Sequence, residues 1–379
     1  MMRQIYLDYN ATTPIAPSVR DALLPFLSEH FGNPSSSHAL GRACHEAIED
    51  ARAETAAALD ADSDEVFFTS GGTESNNLAL KGVMFREPSD NGGHLIISGI
   101  EHPAILQPAE FLQRQGYELT IVGCDARGVV SPAAIQGALR PTTRLVSIMH
   151  ANNEIGTVQP IREIADLCHA QDVLVHTDAA QSVGKLPVKV SELDVDLLSV
   201  AGHKLYAPKG VGALYVKRGI PLEPALHGAG HEGGVRPGTE NVPYIVGLGR
   251  AMTLATEDLN NRQERLAQLR DQLEKQLRDT LGDGMSINGL GAERLPNTTS
   301  VNFPYVSGLD LLKRIPELCA STGSACHSGV TTLSATLKGI GLDPDAAQGT
   351  VRLSLGWNST ADEIDRAASL LLGAWEVLQ

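Results

Sequence analysis

The stretch E-V-F-F-T-S-G-G-T-E-S-N-N-L-A-L-K-G-V-M-F, residues 65–85, decides the fold. E-V-F-F-T-S-G-G is a short strand closing on two glycines, and T-E-S-N-N-L-A-L-K-G-V-M-F reads as the helix that follows. The same alternation runs on through the middle of the chain. H-L-I-I-S-G, E-L-T-I-V-G-C, R-L-V-S-I-M-H-A-N, V-L-V-H-T-D-A-A, D-L-L-S-V-A-G and G-A-L-Y-V are further short apolar strands. Helical patterns such as P-A-I-L-Q-P-A-E-F-L-Q-R-Q-G and I-R-E-I-A-D-L-C-H-A-Q-D lie between several of them. Seven strands interleaved with helices predict an α/β fold whose mostly parallel sheet is covered on both faces. Ligands of such sheets sit beyond the carboxyl ends of the strands, and the polar motifs of this chain fall there.

The texture changes near residue 255. In E-D-L-N-N-R-Q-E-R-L-A-Q-L-R-D-Q-L-E-K-Q-L-R-D-T-L, Leu259, Leu266, Leu269, Leu273, Leu277 and Leu281 recur at spacings of seven, three and four. They make one apolar helical face; its short extent favours a packing helix over a coiled coil. A second α/β segment follows and ends in the helix-like D-E-I-D-R-A-A-S-L-L-L-G-A-W-E-V-L. The expected division is a large domain over residues 16–255 and a smaller α/β domain made of 1–15 and 256–379.

Bulk composition narrows the function by exclusion. With 379 residues, 42% hydrophobic and 20% charged, the chain is long enough for two packed domains. A formal net charge of -15 argues against nucleic acid and anionic membranes as partners. No run approaches the roughly 18 apolar residues of a membrane span, and Asp8 interrupts the first residues before a signal-peptide length is reached. Five cysteines, Cys44, Cys124, Cys168, Cys319 and Cys326, suggest neither a disulfide framework nor a metal site, and the expected compartment is the cytoplasm.

Five polar motifs carry the chemistry. Glycines before Thr73 at a helix start form an anion cradle, because the first helical N–H groups are unpaired. Asp178, with Gln181 three residues on, ends an apolar strand; a pyridine-type cofactor needs such a carboxylate to stay protonated at its ring nitrogen. Lys204 follows another strand beside His203, where desolvation can free an amine to form a Schiff base. G-A-G-H-E-G-G-V-R-P-G-T-E-N (228–241) suits a loop pressed against an anion or a second subunit. Cys326, in S-T-G-S-A-C-H-S-G (321–329), reads as a mobile, partly exposed loop whose thiolate a nearby cation can favour. Read singly, each has an ordinary structural explanation: a cap, a turn, a surface lysine, a flexible loop, a small hydrophobe.

As an ordered set these motifs do more. Y-L-D-Y-N-A-T-T-P (6–14), F-G-N-P-S-S (31–36), T-S-G-G-T-E-S-N-N-L-A (69–79), E-H-P-A-I (101–105) and N-N-E-I-G (152–156) are joined by five later ones. Those are H-T-D-A-A-Q-S-V-G-K (176–185), G-H-K-L-Y-A-P-K-G (202–210), R-P-G-T-E-N (236–241), G-S-A-C-H-S (323–328) and V-R-L-S-L-G (351–356). In this order, nearly end to end, the chain resembles the cysteine desulfurase and selenocysteine lyase family of fold-type I pyridoxal-phosphate enzymes.

The resemblance implies pyridoxal 5'-phosphate held by Lys204, with Asp178 on the pyridine nitrogen, Gln181 on the phenolic oxygen and His102 stacked on the ring. It implies Thr73 and His203 at the phosphate, joined by Thr239 from the other subunit of a homodimer. Arg352 and Asn153 would hold the substrate carboxylate, and Cys326 would accept the chalcogen from L-cysteine or L-selenocysteine for a sulfur-acceptor protein such as an iron–sulfur scaffold. The chain departs from the usual desulfurase pattern at Ala201 (serine), at R-P-G-T (R-S-G-T) and at His327 (threonine). These look like the selenocysteine lyase branch, as do R-P-T-T-R-L-V (140–146) and R-L-P-N-T (294–298). Pro103 stands where animal lyases carry an aspartate, and the length after Cys326 is similar to that of long-loop desulfurases. Desulfurase is the favoured expectation and lyase the alternative. An aminotransferase or epimerase of the same fold would leave Cys326 without a use, and a cofactor-free scaffold would leave Lys204 without one.

Overall fold

The computed structural model describes the backbone of residues 4–86, 93–322, 324–327 and 330–379, and all their side chains except those of 324–327 and 330–332. Its larger sheet has seven strands in the order Val66–Thr69, Gly212–Val216, Leu197–Ala201, Leu174–Asp178, Thr143–Ser147, His94–Ser98 and Glu118–Val122. The run from Leu197–Ala201 to Glu118–Val122 is parallel. Helices such as Pro103–Arg114 and Ile161–His169 provide the long crossovers that parallel pairing demands. Gly212–Val216 is the antiparallel exception, since a short connection from Ala201 can only bring the chain straight back.

Burial on both faces explains why these strands read as apolar runs. Leu95 and Ile97 face one core cluster and Ile96 the other; Leu197 and Leu214 oppose Leu198, Val200 and Ala213 in the same way. Gly212 is dictated by crowding: a Cβ there would lie 2.7 Å from the Gly71 Cα, so the strand passes directly behind the glycine turn.

The smaller sheet is antiparallel, in the order Ser321–Thr322, Thr350–Ser354, Thr298–Asn302 and Ser286–Ile287. Helices Leu259–Leu281 and Ala361–Leu378 pack together beside it. Leu266, Leu269, Leu273, Leu277 and Leu281 are buried in its core with Ile364, Ala367 and Leu371, as a packing helix requires. Leu259, counted in the apolar face by spacing, is only half-buried at the helix start. Thr360 and Glu363 form a capping box that fixes where the last helix begins.

The N-terminal arm joins the two cores. Ile5–Tyr6 pairs in parallel with Leu318–Cys319, and Ile5 and Leu7 fill the smaller core. Tyr9 turns into the larger one, and Thr13 then donates its N–H to the His203 carbonyl. Around Cys326 the backbone forms a hairpin where the sequence suggested a loop: Ser324–His327 runs antiparallel to Val330–Leu333, with Cys326 opposite Thr331. The β-branched residues of V-T-T-L favour this extended pairing. The Cys326 side chain lies outside the described residues.

Candidate active site

Beyond the carboxyl ends of the large sheet opens a cavity of about 700 Å³, lined by Thr73, His102, Asn153, Asp178, Gln181, His203, Lys204 and Arg352. Eight of the ten side chains singled out from sequence therefore meet in one place. Local structure delivers each of them. Asp178 is the last residue of its strand, and Lys204 lies in a tight turn, Gly202–Lys204, immediately after Ala201. Thr73 sits in the first turn of helix Gly72–Met84, and His102 is the N-cap of helix Pro103–Arg114. Arg352 reaches in from the middle of strand Thr350–Ser354 of the smaller sheet.

Lys204 presents a buried amine to this cavity. Its Nζ donates to the carbonyl oxygens of Asn10 at 2.6 Å and Ala11 at 2.8 Å. Burial brings its pKa down to about 8, with the Arg352 guanidinium adding to the effect and Asp178 and Asp8 opposing it. A sizeable neutral fraction near neutral pH is what a Schiff-base lysine needs.

The histidines are held neutral. Burial lowers His102, against a smaller upward pull from Asp178, and its Nδ1 accepts the Ala104 N–H at 3.1 Å. His203 is pushed down to about 4 by burial and then by Lys204. Asp178 is buried; its Oδ2 accepts from Asn76 Nδ2 at 2.7 Å and its Oδ1 from the Ala180 N–H at 2.9 Å.

Arg352 is buried with Nη2 donating to Asp8 Oδ1 at 2.7 Å and Nη1 to the Asn153 carbonyl at 3.0 Å. Its Nε, also buried, has no partner among the described residues. A guanidinium so placed is an anion receptor whose present carboxylate partner belongs to the protein itself.

These residues fit the group that the resemblance implies. Helix Gly72–Met84 has no side-chain cap, and its N-cap Gly71 adopts φ 143°, where a Cβ would be strained but would meet no atom within 4 Å. An open helix N-terminus with no capping side chain accommodates a phosphate. Asn76 Oδ1, buried and unpartnered among the described residues, and the Asp178 carboxylate provide acceptors for a protonated ring nitrogen.

Several participants escaped sequence reasoning. Asn10 is a buried junction. Its carbonyl takes Lys204 Nζ and Gln181 Nε2, its Oδ1 takes Lys185 Nζ and Asn297 Nδ2, and its Nδ2 bonds Thr298 Oγ1. Glu101, next to His102, is a buried carboxyl raised to about 8 by loss of hydration. Asp8, Asn10, Asn76, Glu101 and Lys185 all lie inside the quoted motifs, but nothing in a sequence says that a polar residue is buried.

One described side chain stays outside. Thr239 is exposed and does not line the cavity. Its loop is nevertheless anchored: Arg52 grips Glu232 through both nitrogens at 2.8 and 2.9 Å, and Glu232 Oε2 accepts the Phe68 N–H at 2.7 Å. Arg236 holds Glu74 at 2.9 Å, beside Thr73. Cys326, as noted, lies outside the described side chains.

Comparison with known proteins adds an independent line. The family model described as Aminotransferase class-V matches residues 5–367. The cysteine desulfurase IscS of Dictyoglomus turgidum is 46% identical over 373 residues, covering 98% of this chain and 94% of that protein. That of Methanosarcina thermophila is 43% identical over 371 residues, covering 97% and 91%. A solved NifS-like protein superposes with a TM-score of 0.91 at 36% identity over 99% of both chains. A structure described as SspA in complex with cysteine gives 0.82 at 38% identity, over 92% of this chain and 98% of that one.

Proposed function

The chain belongs to the class-V aminotransferase family, and we propose that it is a pyridoxal-phosphate-dependent cysteine desulfurase that converts L-cysteine to L-alanine and takes the sulfur on Cys326 as a persulfide. The observation that carries this reading is Lys204: an amine brought down to about 8 in a cavity that also holds a buried carboxylate and a buried guanidinium. Sulfur is favoured over selenium because full-length relatives at 42% to 46% identity bear the desulfurase name.

The cofactor, when bound, supplies a carbonyl carbon for the substrate amine and a protonated ring that spreads negative charge from the substrate's α carbon. Thr73 and His203 hold its phosphate, Asp178 its ring nitrogen, Gln181 its phenolic oxygen, and His102 its ring face. Arg352 releases Asp8 to take the substrate carboxylate, assisted by Asn153. Lys204, in its neutral form, would take the α proton. The Cys326 thiolate attacks the substrate sulfur; an S–S bond forms, and the C–S bond breaks with its electron pair left on carbon. That carbon takes a proton and becomes the methyl group of alanine.

The reading includes a division of labour. Residues 16–255 hold the cofactor; 1–15 with 256–379 bring Arg352 and Cys326. It also includes a homodimer in which Thr239 completes the neighbouring site. Exposed Ile15, Leu24, Leu27, Phe31 and Leu40, close together in sequence, support a covered surface there. A sulfur-acceptor protein collects the persulfide in the cytoplasm. No helix among the described residues is long and apolar enough to cross a membrane.

Parallel turnover of L-cysteine and L-selenocysteine, with alkylation and mass analysis of Cys326, tests the proposal. Expected are alanine production from cysteine, a trapped persulfide on Cys326 and loss of turnover in Cys326→Ala. Full turnover by Cys326→Ala, or selenocysteine turnover with no persulfide from cysteine, overturns it.

A further inference from the structure

Lys185 closes the motif H-T-D-A-A-Q-S-V-G-K, yet none of the steps above uses it. A buried lysine is costly unless something employs it. Its Nζ donates to Gln181 Oε1 at 2.7 Å and to Asn10 Oδ1 at 3.0 Å. No carboxylate contacts it among the described residues, and burial together with the nearby Lys204 and Arg352 charges drives its pKa well down. Two acceptors match the two N–H bonds of a neutral amine.

Two contacts together set which way the Gln181 amide points. The Asn10 carbonyl can only accept and so faces the NH₂ group, while Lys185, donating its N–H bonds to Gln181 and to Asn10 Oδ1, holds Oε1 on the other side. One N–H of that group reaches the Asn10 carbonyl at 3.0 Å. The second is left for the cavity that Gln181 lines. The same lysine occupies Asn10 Oδ1, leaving the Asn10 carbonyl to receive both Lys204 and Gln181.

We propose that Lys185 is a positioning residue for the cofactor: it locks Gln181 as a hydrogen-bond donor, never an acceptor, toward the cofactor's phenolic oxygen. The inference rests on the pyridoxal-phosphate reading and extends it by one residue. A donor aimed at an anionic phenolic oxygen favours the less protonated form of the bound cofactor. Removing the lock therefore raises the pH midpoint of the cofactor's visible absorption band.

The test is a pH titration of that band in wild-type holoenzyme and in Lys185→Met, which keeps an apolar stem and removes both donors. The expected rise is roughly 0.4 to 1 pH unit, the size of one net hydrogen bond. Lys185→Gln, which restores a neutral N–H donor, returns the midpoint toward the wild-type value. In a Gln181→Ala background, Lys185→Met adds no further shift, because the two residues act through one contact. Lys185→Ala provides a second removal of the same donor, and thermal melts of each variant separate lost packing from the lost lock. An unchanged midpoint in the donor-removal variants, or a full additional shift in the Gln181→Ala background, overturns the role of Lys185. A wild-type protein with no visible band sensitive to Lys204→Ala instead overturns the cofactor reading itself.

Discussion

The two sheets of this protein meet at one cavity and furnish it in different ways. The seven-stranded sheet supplies seven of the eight site side chains that line it, all from strand ends, turns or helix starts. The four-stranded sheet supplies one, Arg352, from the middle of a strand. Parallel strands deliver all their carboxyl ends to one rim, so short loops converge there with little freedom. The antiparallel sheet has no such rim, and what it offers is a charge. The groups around the large sheet are tied to partners that stay in place, as Lys204 is to two backbone carbonyls, whereas Arg352 is paired with the Asp8 carboxylate, which the proposed mechanism exchanges for that of the substrate. One side holds and the other exchanges.

Breaking the holding side at its centre has the largest expected effect. Lys204→Ala lowers cysteine turnover on the order of 10³-fold or more, measured as alanine formed, since the residue proposed as both cofactor anchor and base is lost. Next comes the ion pair that fastens the Thr239 loop to the large sheet. Glu232→Ala leaves the Phe68 N–H unpaired and strips Arg52 of its buried partner, with only the Val66 carbonyl and the exposed Glu49 remaining to it, and urea denaturation should show a loss of about 3 kcal/mol. On the exchanging side, Arg352→Gln raises KM for cysteine about 10- to 100-fold with a much smaller change in kcat, because the lost contact serves ground state and transition state alike.

The smallest effect sharpens the contrast through pH. Lys204 has a folded pKa of about 8 against an ordinary 10.5, so between these values the unfolded chain binds more protons than the folded one. Stability of the cofactor-free protein therefore gains from this residue as pH rises from about 8 toward 10.5, by at most about 1.4 kcal/mol per pH unit. Below that window the lysine is protonated in both states and its burial is a constant cost. Lys204→Met should flatten this part of the stability–pH curve, followed by chemical denaturation at several pH values.

The same contrast separates what was legible in the sequence from what was not. Strands buried on both faces read as uninterrupted apolar runs, so the large sheet and its strand-end residues Asp178 and Lys204 stood out. The order of ten motifs then gave each residue its expected role. Gly212–Val216 was recognisable as a strand, but its antiparallel direction depends on the length of a connection rather than on its residues. The four-stranded sheet was harder to see because Ser286–Ile287 and Ser321–Thr322 are too short for a period to show. Asn10 and Lys185 were hidden for a different reason. Their polar side chains look solvated in a sequence, and only the fold reveals that each replaces water with the other. Thr239 is exposed in the single chain, and its proposed task would need a second copy.

The arm that stitches the cores together sets a schedule for biosynthesis. Ser321 bonds Asp8 across 313 positions, and Arg352 bonds the same carboxylate across 344. Asn10 and Ala11, whose carbonyls receive the Lys204 amine, hang from that arm. On the ribosome the large sheet can assemble as its strands emerge, but the arm has no strand to join until Leu318–Cys319 has been made. The reactive lysine thus acquires its finished surroundings only near the end of synthesis, so a nascent chain carries the amine without the enzyme.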